Sequence, residues 1–313
     1  ASREERIRFA REARVLQRAP DKVDMAEPVR LRQFLDWARD NFQSDRAMLV
    51  LWGHSYRFAF GYDGGNSLDF IELSNTLRGY NLDIIGFDTC GLSTIESAYQ
   101  LRECAKFMVA SEINVPLLGW PYGRILWGLR DTPGMDPEQL GRTIVTKYVE
   151  SYPGATVALS LLNLGQADAM IDPMRELGTS LALTVGNDAV QREQLLTLFR
   201  NARIPTSTGD PLVDLRKLCQ EITRANGLDR TLHRAALGMD TALDRGTALV
   251  AYHDGKGDAK GLGGVSAFAP HVGQQRDAIL QVYDRLDFCR KPAPEQPSLT
   301  LWPEVVKFLA FAD

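Results

Sequence analysis

The chain is poor in the residues that build metal centres and disulfide scaffolds: its 313 residues include four cysteines and four histidines. Cys90, Cys104, Cys219 and Cys289 are too few and too scattered for a stapled fold. No Cys-x-x-Cys, no His-Glu-x-x-His and no paired histidine spacing occurs, so a zinc site is not expected. No apolar run approaches the roughly 20 residues that cross a bilayer, and no signal-peptide pattern is visible, so no membrane association is expected. A formal net charge of −4 argues against a general nucleic-acid binder. Internal repeats are absent. The single Gly-rich tract, "GDAKGLGG" at 257–264, opens no helix and therefore makes no phosphate-binding loop. No cofactor is expected; the Asp-rich segments 63–69 and 254–258 are candidate calcium sites, although neither fits an EF-hand loop.

What is present is an alternation of strand-like and helix-like segments, with 44% hydrophobic content, enough for one sizeable α/β core. The spacing predicts a short strand near 12–18, a helix over 28–42 behind Pro28, strands near 47–53 and 82–88, a helix from 91, and a strand near 106–111. A helix near 136–151 and a strand at 155–161 follow. The stretch 165–246 reads as largely helical, strands near 247–252 and 264–268 return to the sheet, and Pro292, Pro294 and Pro297 precede a final short helix. Residues 1–160 are expected to form the core, and 161–313 a helical insertion with a C-terminal part that completes it. The Gly-Gly-Asn at 64–66 reads as a plain turn.

Two apolar runs end in reactive side chains. "AMLVLWGHS" delivers His54 and "LDIIGFDTCGL" delivers Cys90, and both runs lack the alternation of a half-exposed strand. Function in parallel sheets collects at the carboxyl ends of strands, so the pair can meet although 90 − 54 = 36 positions separate them. Cys90 between a strand and a helix amino terminus is placed for thiolate formation, with His54 as general base. The N–H groups of Cys90 and Ser55 would then receive the oxyanion. Each residue taken alone has a plainer reading: Cys90 as a small buried hydrophobe, His54 as a structural imidazole. His253, at the end of "VAYH", is the rival base; His233 and His271 lack any partner motif. Cys104, Cys219 and Cys289 read as packing residues.

The block "LVLWGHS", "LDIIGFDTCGLSTIESAYQLRECAKFMVASE" and "GWPY" resembles the clostripain-like cysteine peptidases, family C11, which share the caspase–hemoglobinase fold. Further matches lie in "DMAEPVRLRQFLDWARDNF", "ATVALSLLNL", "PLVDLRKLCQEI" and "GLGGVSAFAP", the last resembling the family's final core strand. The resemblance implies an α/β fold: a caspase-like, mostly parallel sheet flanked by helices, with an additional largely helical C-terminal part. It implies a cysteine endopeptidase with Cys90 as nucleophile and His54 as partner. Asp88 matches the acidic residue that lines the pocket for the side chain before the cut, which suits Arg or Lys, and Ser111 and Trp120 match positions shaping that pocket. The plain alternatives are a capping aspartate and a packed tryptophan.

This chain departs from the family pattern in two places. Ser55 stands where relatives usually have Gly after the histidine, which restricts how its N–H is presented. Leu118 stands where relatives that cut after basic residues often carry an acid, so basic specificity rests on Asp88, with Glu112 read as a solvated surface residue. Two alternatives follow: a peptidase of neutral specificity, or an inactive caspase-like binding or scaffold protein. The opening strand of relatives has no counterpart in "ASREERIRFAREARVLQRAP", whose arginines read as an exposed flank. The expected partners are a protein or peptide substrate and an N-terminal fragment of the same precursor released by activating cleavage. The expected location is cytoplasmic, with secretion as the alternative.

Overall fold

The seven residues Leu82–Asp88 are all buried, as a strand must be when both faces of its sheet are covered. The computed structural model describes residues 23–56, 58–204, 211–244, 249–270, 281–293 and 295–311. The strand expected near 12–18, the arginine-rich opening and His271 lie outside the described residues. In chain order, α1 (Pro28–Asn41) leads to β1 (Met48–Trp52), then to a small antiparallel sheet of β2 (Ser55–Tyr56), β3 (Ala59–Asp63) and β4 (Asn66–Asp69). Next come α2 (Phe70–Leu77), β5 (Leu82–Asp88), α3 (Ile95–Gln100), β6 (Ala105–Ala110), α4 (Tyr122–Asp131), α5 (Pro137–Glu150) and β7 (Val157–Asn163). The later part contains α6 (Ile171–Asn187), α7 (Ala189–Ala202), β8 (Leu212–Asp214), α8 (Leu215–Arg224), α9 (Arg230–Ala242), β9 (Val250–Lys256), β10 (Ser266–Phe268) and α10 (Trp302–Phe311).

Helix starts follow local chemistry. Asp69 and Glu72 form a capping box on α2, and Asp136 and Gln139 form one on α5 with Pro137 in the first turn. The large sheet has the order β1-β5-β6-β7-β9. β1, β5 and β6 are parallel, whereas β7 is antiparallel to both β6 and β9, so it alone runs backwards. The pleat of β5 sends alternate side chains to opposite faces. Ile84 joins a layer with Trp120, Ile125, Ile144 and Tyr148 from α4, α5 and the loop before them. Ile85 and Phe87 join the larger layer on the other face, which includes α2, α3 and the helices after β7 and holds buried side chains from Leu35 to Leu309. Among the described residues, no helix is long and apolar enough to cross a membrane.

Two local expectations are corrected. The helix after Cys90 begins only at Ile95, because Gly91 is left-handed at φ 61° and Thr94 supplies the N-cap. "GLGGVSAFAP" does not extend the large sheet: β10 pairs with β8 in a two-stranded ribbon, and the Ser266 N–H is taken by Ser93 C=O. The plain turn expected at 64–66 is present and joins β3 to β4 in a hairpin, with Gly64 and Gly65 both at positive φ.

The short helix α3 is fully buried and carries a carboxyl group into the larger layer. Glu96 accepts from Phe268 N–H (3.0 Å) and Tyr283 O–H (3.1 Å), and burial pushes it up to about 7 from 4.5. An acid raised on folding costs stability as it ionises, so this contribution is favourable below about 4.5 and is lost as pH rises through 7. Glu96→Gln keeps the acceptor oxygen and removes the charge. Urea unfolding at pH 5 and pH 8 should show the substitution cancelling roughly 3 kcal/mol of the wild-type decline; an unchanged decline would place the cost elsewhere.

Candidate active site

The parallel register between β1 and β5 sets Trp52 level with Asp88, and Gly53 N–H reaches Asp88 C=O at 3.4 Å. His54 and Cys90 each lie two residues further along, so both stand just beyond the carboxyl ends of neighbouring strands. The two segments are joined directly: Ser55 Oγ donates to Cys90 C=O at 2.5 Å and accepts from Thr89 Oγ1 at 3.0 Å. Cys90 is half-buried and His54 exposed. Cys90 Sγ accepts from Val115 N–H at 3.3 Å. Among the described residues the His54 imidazole makes no hydrogen bond, and catalytic contacts of this kind often tighten only when substrate is bound.

No helix dipole acts on Cys90, contrary to expectation. The nearest helix starts at Ile95 and spans six residues, and the dipole effect fades within about one turn. The backbone N–H of Val115 takes its place as the donor at sulfur. Cys104, Cys219 and Cys289 are buried, and burial raises each, Cys104 to about 11.

Asp88 ends β5 on the face that carries Ile84 and is 2% exposed. Its Oδ2 accepts from Trp120 N–H (2.9 Å) and Tyr122 O–H (2.7 Å), while Oδ1 is buried with no partner in the chain. Burial pushes its pKa above the usual carboxylate range, and the two donors offset part of that shift. Asp88 caps no helix, so the capping alternative is set aside. Trp120 is buried against β5 so closely that a Cβ at Gly86 would lie 2.7 Å from its ring. Its indole packs, and its backbone N–H holds Asp88. Tyr122, half-exposed, is a contact the sequence reasoning missed, although "GWPY" places it two residues after Trp120.

Ser111 is buried, and its hydroxyl is engaged in a local turn, donating to Ile113 C=O (3.0 Å) and accepting from Ile113 N–H (3.1 Å). Glu112 is not the surface residue expected. It is fully buried, accepts from Gly264 N–H at 2.8 Å and hydrogen-bonds Asp214, the N-cap of α8; burial and that neighbouring carboxyl raise it well above the usual range. Leu117 and Leu118 are 87% and 86% exposed, in the loop between Val115 and Trp120. His253 is buried on β9 opposite Ser160 of β7, with Nδ1 3.1 Å from Ser160 Oγ. Two strands separate β9 from β5, so it is no rival base.

In the Asp-rich segments, Asp63 accepts from Met25 N–H and Asp69 caps α2. Among the described residues, no group of three or more His, Cys, Asp or Glu side chains is arranged to hold a metal ion.

The model of the clostripain family, peptidase C11, matches residues 2–302. Among curated proteins nothing matches. Among solved structures, the chain is similar to an inactive zymogen C11 protease from Parabacteroides distasonis, with 18% identity over 87% of this chain and 77% of that one and a TM-score of 0.62. It is also similar to a secreted C11 cysteine protease from Bacteroides thetaiotaomicron in complex with an irreversible peptide inhibitor, with 17% identity, 85% and 77% coverage and a TM-score of 0.60. At these identities the likeness is one of fold.

Gly119 sits at φ 62°, and a Cβ there would collide with the Asp88 carboxylate. Gly119→Ala should therefore lower stability by about 1–3 kcal/mol through strain and overpacking. Thermal unfolding beside Gly123→Ala, which meets open space, reads the difference; equal behaviour of the two variants would contradict the packing described.

Proposed function

Because this chain belongs to the clostripain family of cysteine peptidases, we propose that it is an endopeptidase that cuts after Arg or Lys, with Cys90 as nucleophile and His54 as its base. The observation that carries the specificity is the unpartnered, buried Oδ1 of Asp88. A buried carboxylate with a free acceptor oxygen is costly unless a donor of opposite charge fills the site. A guanidinium or ammonium from the residue before the scissile bond meets that need, and a charge-assisted hydrogen bond fixes its position.

In the proposed reaction the Cys90 sulfur attacks the scissile carbonyl carbon, and the thiol proton passes to His54. The carbonyl oxygen gains negative charge and is received by the N–H groups of Cys90 and Ser55. His54 then gives its proton to the departing amine, which leaves a thioester on Cys90. Water, deprotonated by His54, attacks that thioester; the C–S bond breaks, the acid product leaves, and the Cys90 sulfur takes the proton back from His54. Val115 N–H supports the sulfur while it carries charge. Leu118, exposed where relatives often have a second acid, favours a second reading in which apolar side chains also enter the pocket.

Cys90→Ala should abolish cleavage of arginyl peptides while leaving the unfolding temperature close to wild type; residual cleavage would remove Cys90 from its role. Asp88→Asn should raise KM for arginyl and lysyl peptides about a hundredfold and leave leucyl peptides unaffected. The Asp88 carboxyl is raised by burial, and it must be ionised to hold a cation. KM for arginyl peptides should therefore climb as pH falls through its titration, with no matching change in Asp88→Asn. A profile identical in the two proteins would point to another group.

A further inference from the structure

We infer that the side-chain hydroxyl of Ser55 is a positioning residue for the nucleophile, acting through the peptide group between Cys90 and Gly91. This role is distinct from any its backbone N–H plays at the oxyanion, and it rests on the reading of Cys90 as nucleophile. The Cys90–Gly91 peptide is held from both sides. Its carbonyl accepts from Ser55 Oγ at 2.5 Å, and its N–H donates to Ile113 C=O at 3.1 Å. One anchor comes from the histidine side of the cleft and the other from the loop after β6. Together they fix the rotation that leads out of Cys90 and the left-handed turn at Gly91, φ 61°.

Each anchor is itself immobilised. Ser55 opens β2 and pairs with Phe60, and His54 C=O accepts from Gly61 N–H at 2.8 Å. Its hydroxyl also accepts from Thr89 Oγ1, so Thr89, Ser55 and Cys90 form a chain in which the proton of each hydroxyl has one assigned acceptor. Ser55 is 8% and Thr89 1% exposed, so water does not readily replace either group. Ile113 is held in turn by the Ser111 hydroxyl, two residues from the Val115 N–H that meets Cys90 Sγ. A glycine at position 55 offers no such donor, and the Cys90 carbonyl would lose its partner.

The clamp matters for chemistry because the peptide it holds sets where Sγ and the Cys90 N–H point, and small misplacements of a nucleophile cost rate more than binding. Ser55→Ala should lower kcat for an arginyl peptide about tenfold with KM changed less than about twofold, and slow alkylation of Cys90 by iodoacetamide at pH 7 several-fold. Ser55→Thr, which keeps the hydroxyl, should restore both. Unchanged kcat and alkylation in a folded Ser55→Ala protein would overturn the inference, as would equal losses in Ser55→Thr and Ser55→Ala. If Ser55→Ala does not fold, Thr89→Val serves: it leaves the Ser55 to Cys90 bond but frees its geometry, so alkylation should slow about twofold to threefold, and a wild-type rate would overturn the inference. Failure of the underlying reading looks different, since it leaves cleavage in Cys90→Ala.

Discussion

The parallel register between β1 and β5 is the constraint on which the site depends. It places Trp52 beside Asp88, and the residues proposed as base and nucleophile, His54 and Cys90, each lie two positions beyond that rung. A slip of one residue would turn every side chain of β5 to the opposite face and exchange the environments of Phe87 and Asp88. Burial of all seven residues of β5 prevents that slip, because the two apolar layers accept only one assignment of its faces. The same pleat puts Asp88 against Trp120 and sends Phe87 into the ring cluster with Phe60 and Phe70.

The loop from Ser111 to Tyr122 turns this rim into a site. It supplies Ile113 C=O to Gly91, Val115 N–H to the Cys90 sulfur, and Trp120 N–H and Tyr122 O–H to Asp88. One short segment therefore touches both the sulfur proposed as nucleophile and the carboxylate proposed to select the substrate. Its own footing is polar: Ser111 holds Ile113, and buried Glu112 ties the end of β6 to Gly264 and to the cap of α8. Buried carboxyl groups at 88, 96, 112 and 214, all raised, cost stability when ionised and are retained where they hold backbone N–H groups in place.

Much of the fold is legible in the sequence because β1, β5 and β7 of the large sheet are largely apolar runs and the helices carry clear start signals, as Pro28 and the Asp136–Gln139 box show. The strand ends bearing His54, Asp88 and Cys90 are legible for the same reason. What the sequence conceals is the fate of polar groups that meet only in three dimensions. Glu112 carries no mark of burial, since its partners Gly264 and Asp214 lie more than a hundred residues away. The Val115 N–H is a backbone group that any residue but proline would supply. The Ser55 hydroxyl is visible only as a departure from glycine, and its effect on Cys90 C=O appears only with the chain folded. β10 reads as a core strand because "VSAF" is apolar, yet its edges are occupied by Ser93 and β8, which no periodicity reveals.

The central claim, that a sulfur and a buried carboxylate at the end of one strand act on the same substrate residue, is tested most directly by covalent capture. The folded chain is exposed to a peptidyl chloromethyl ketone ending in arginine and to its leucine counterpart, and the adduct is located by peptide mapping. The account predicts a single adduct on Cys90 with the arginyl reagent, formed much more slowly with the leucyl one and in Asp88→Asn. Modification of another cysteine, or equal rates for the two reagents, would contradict it.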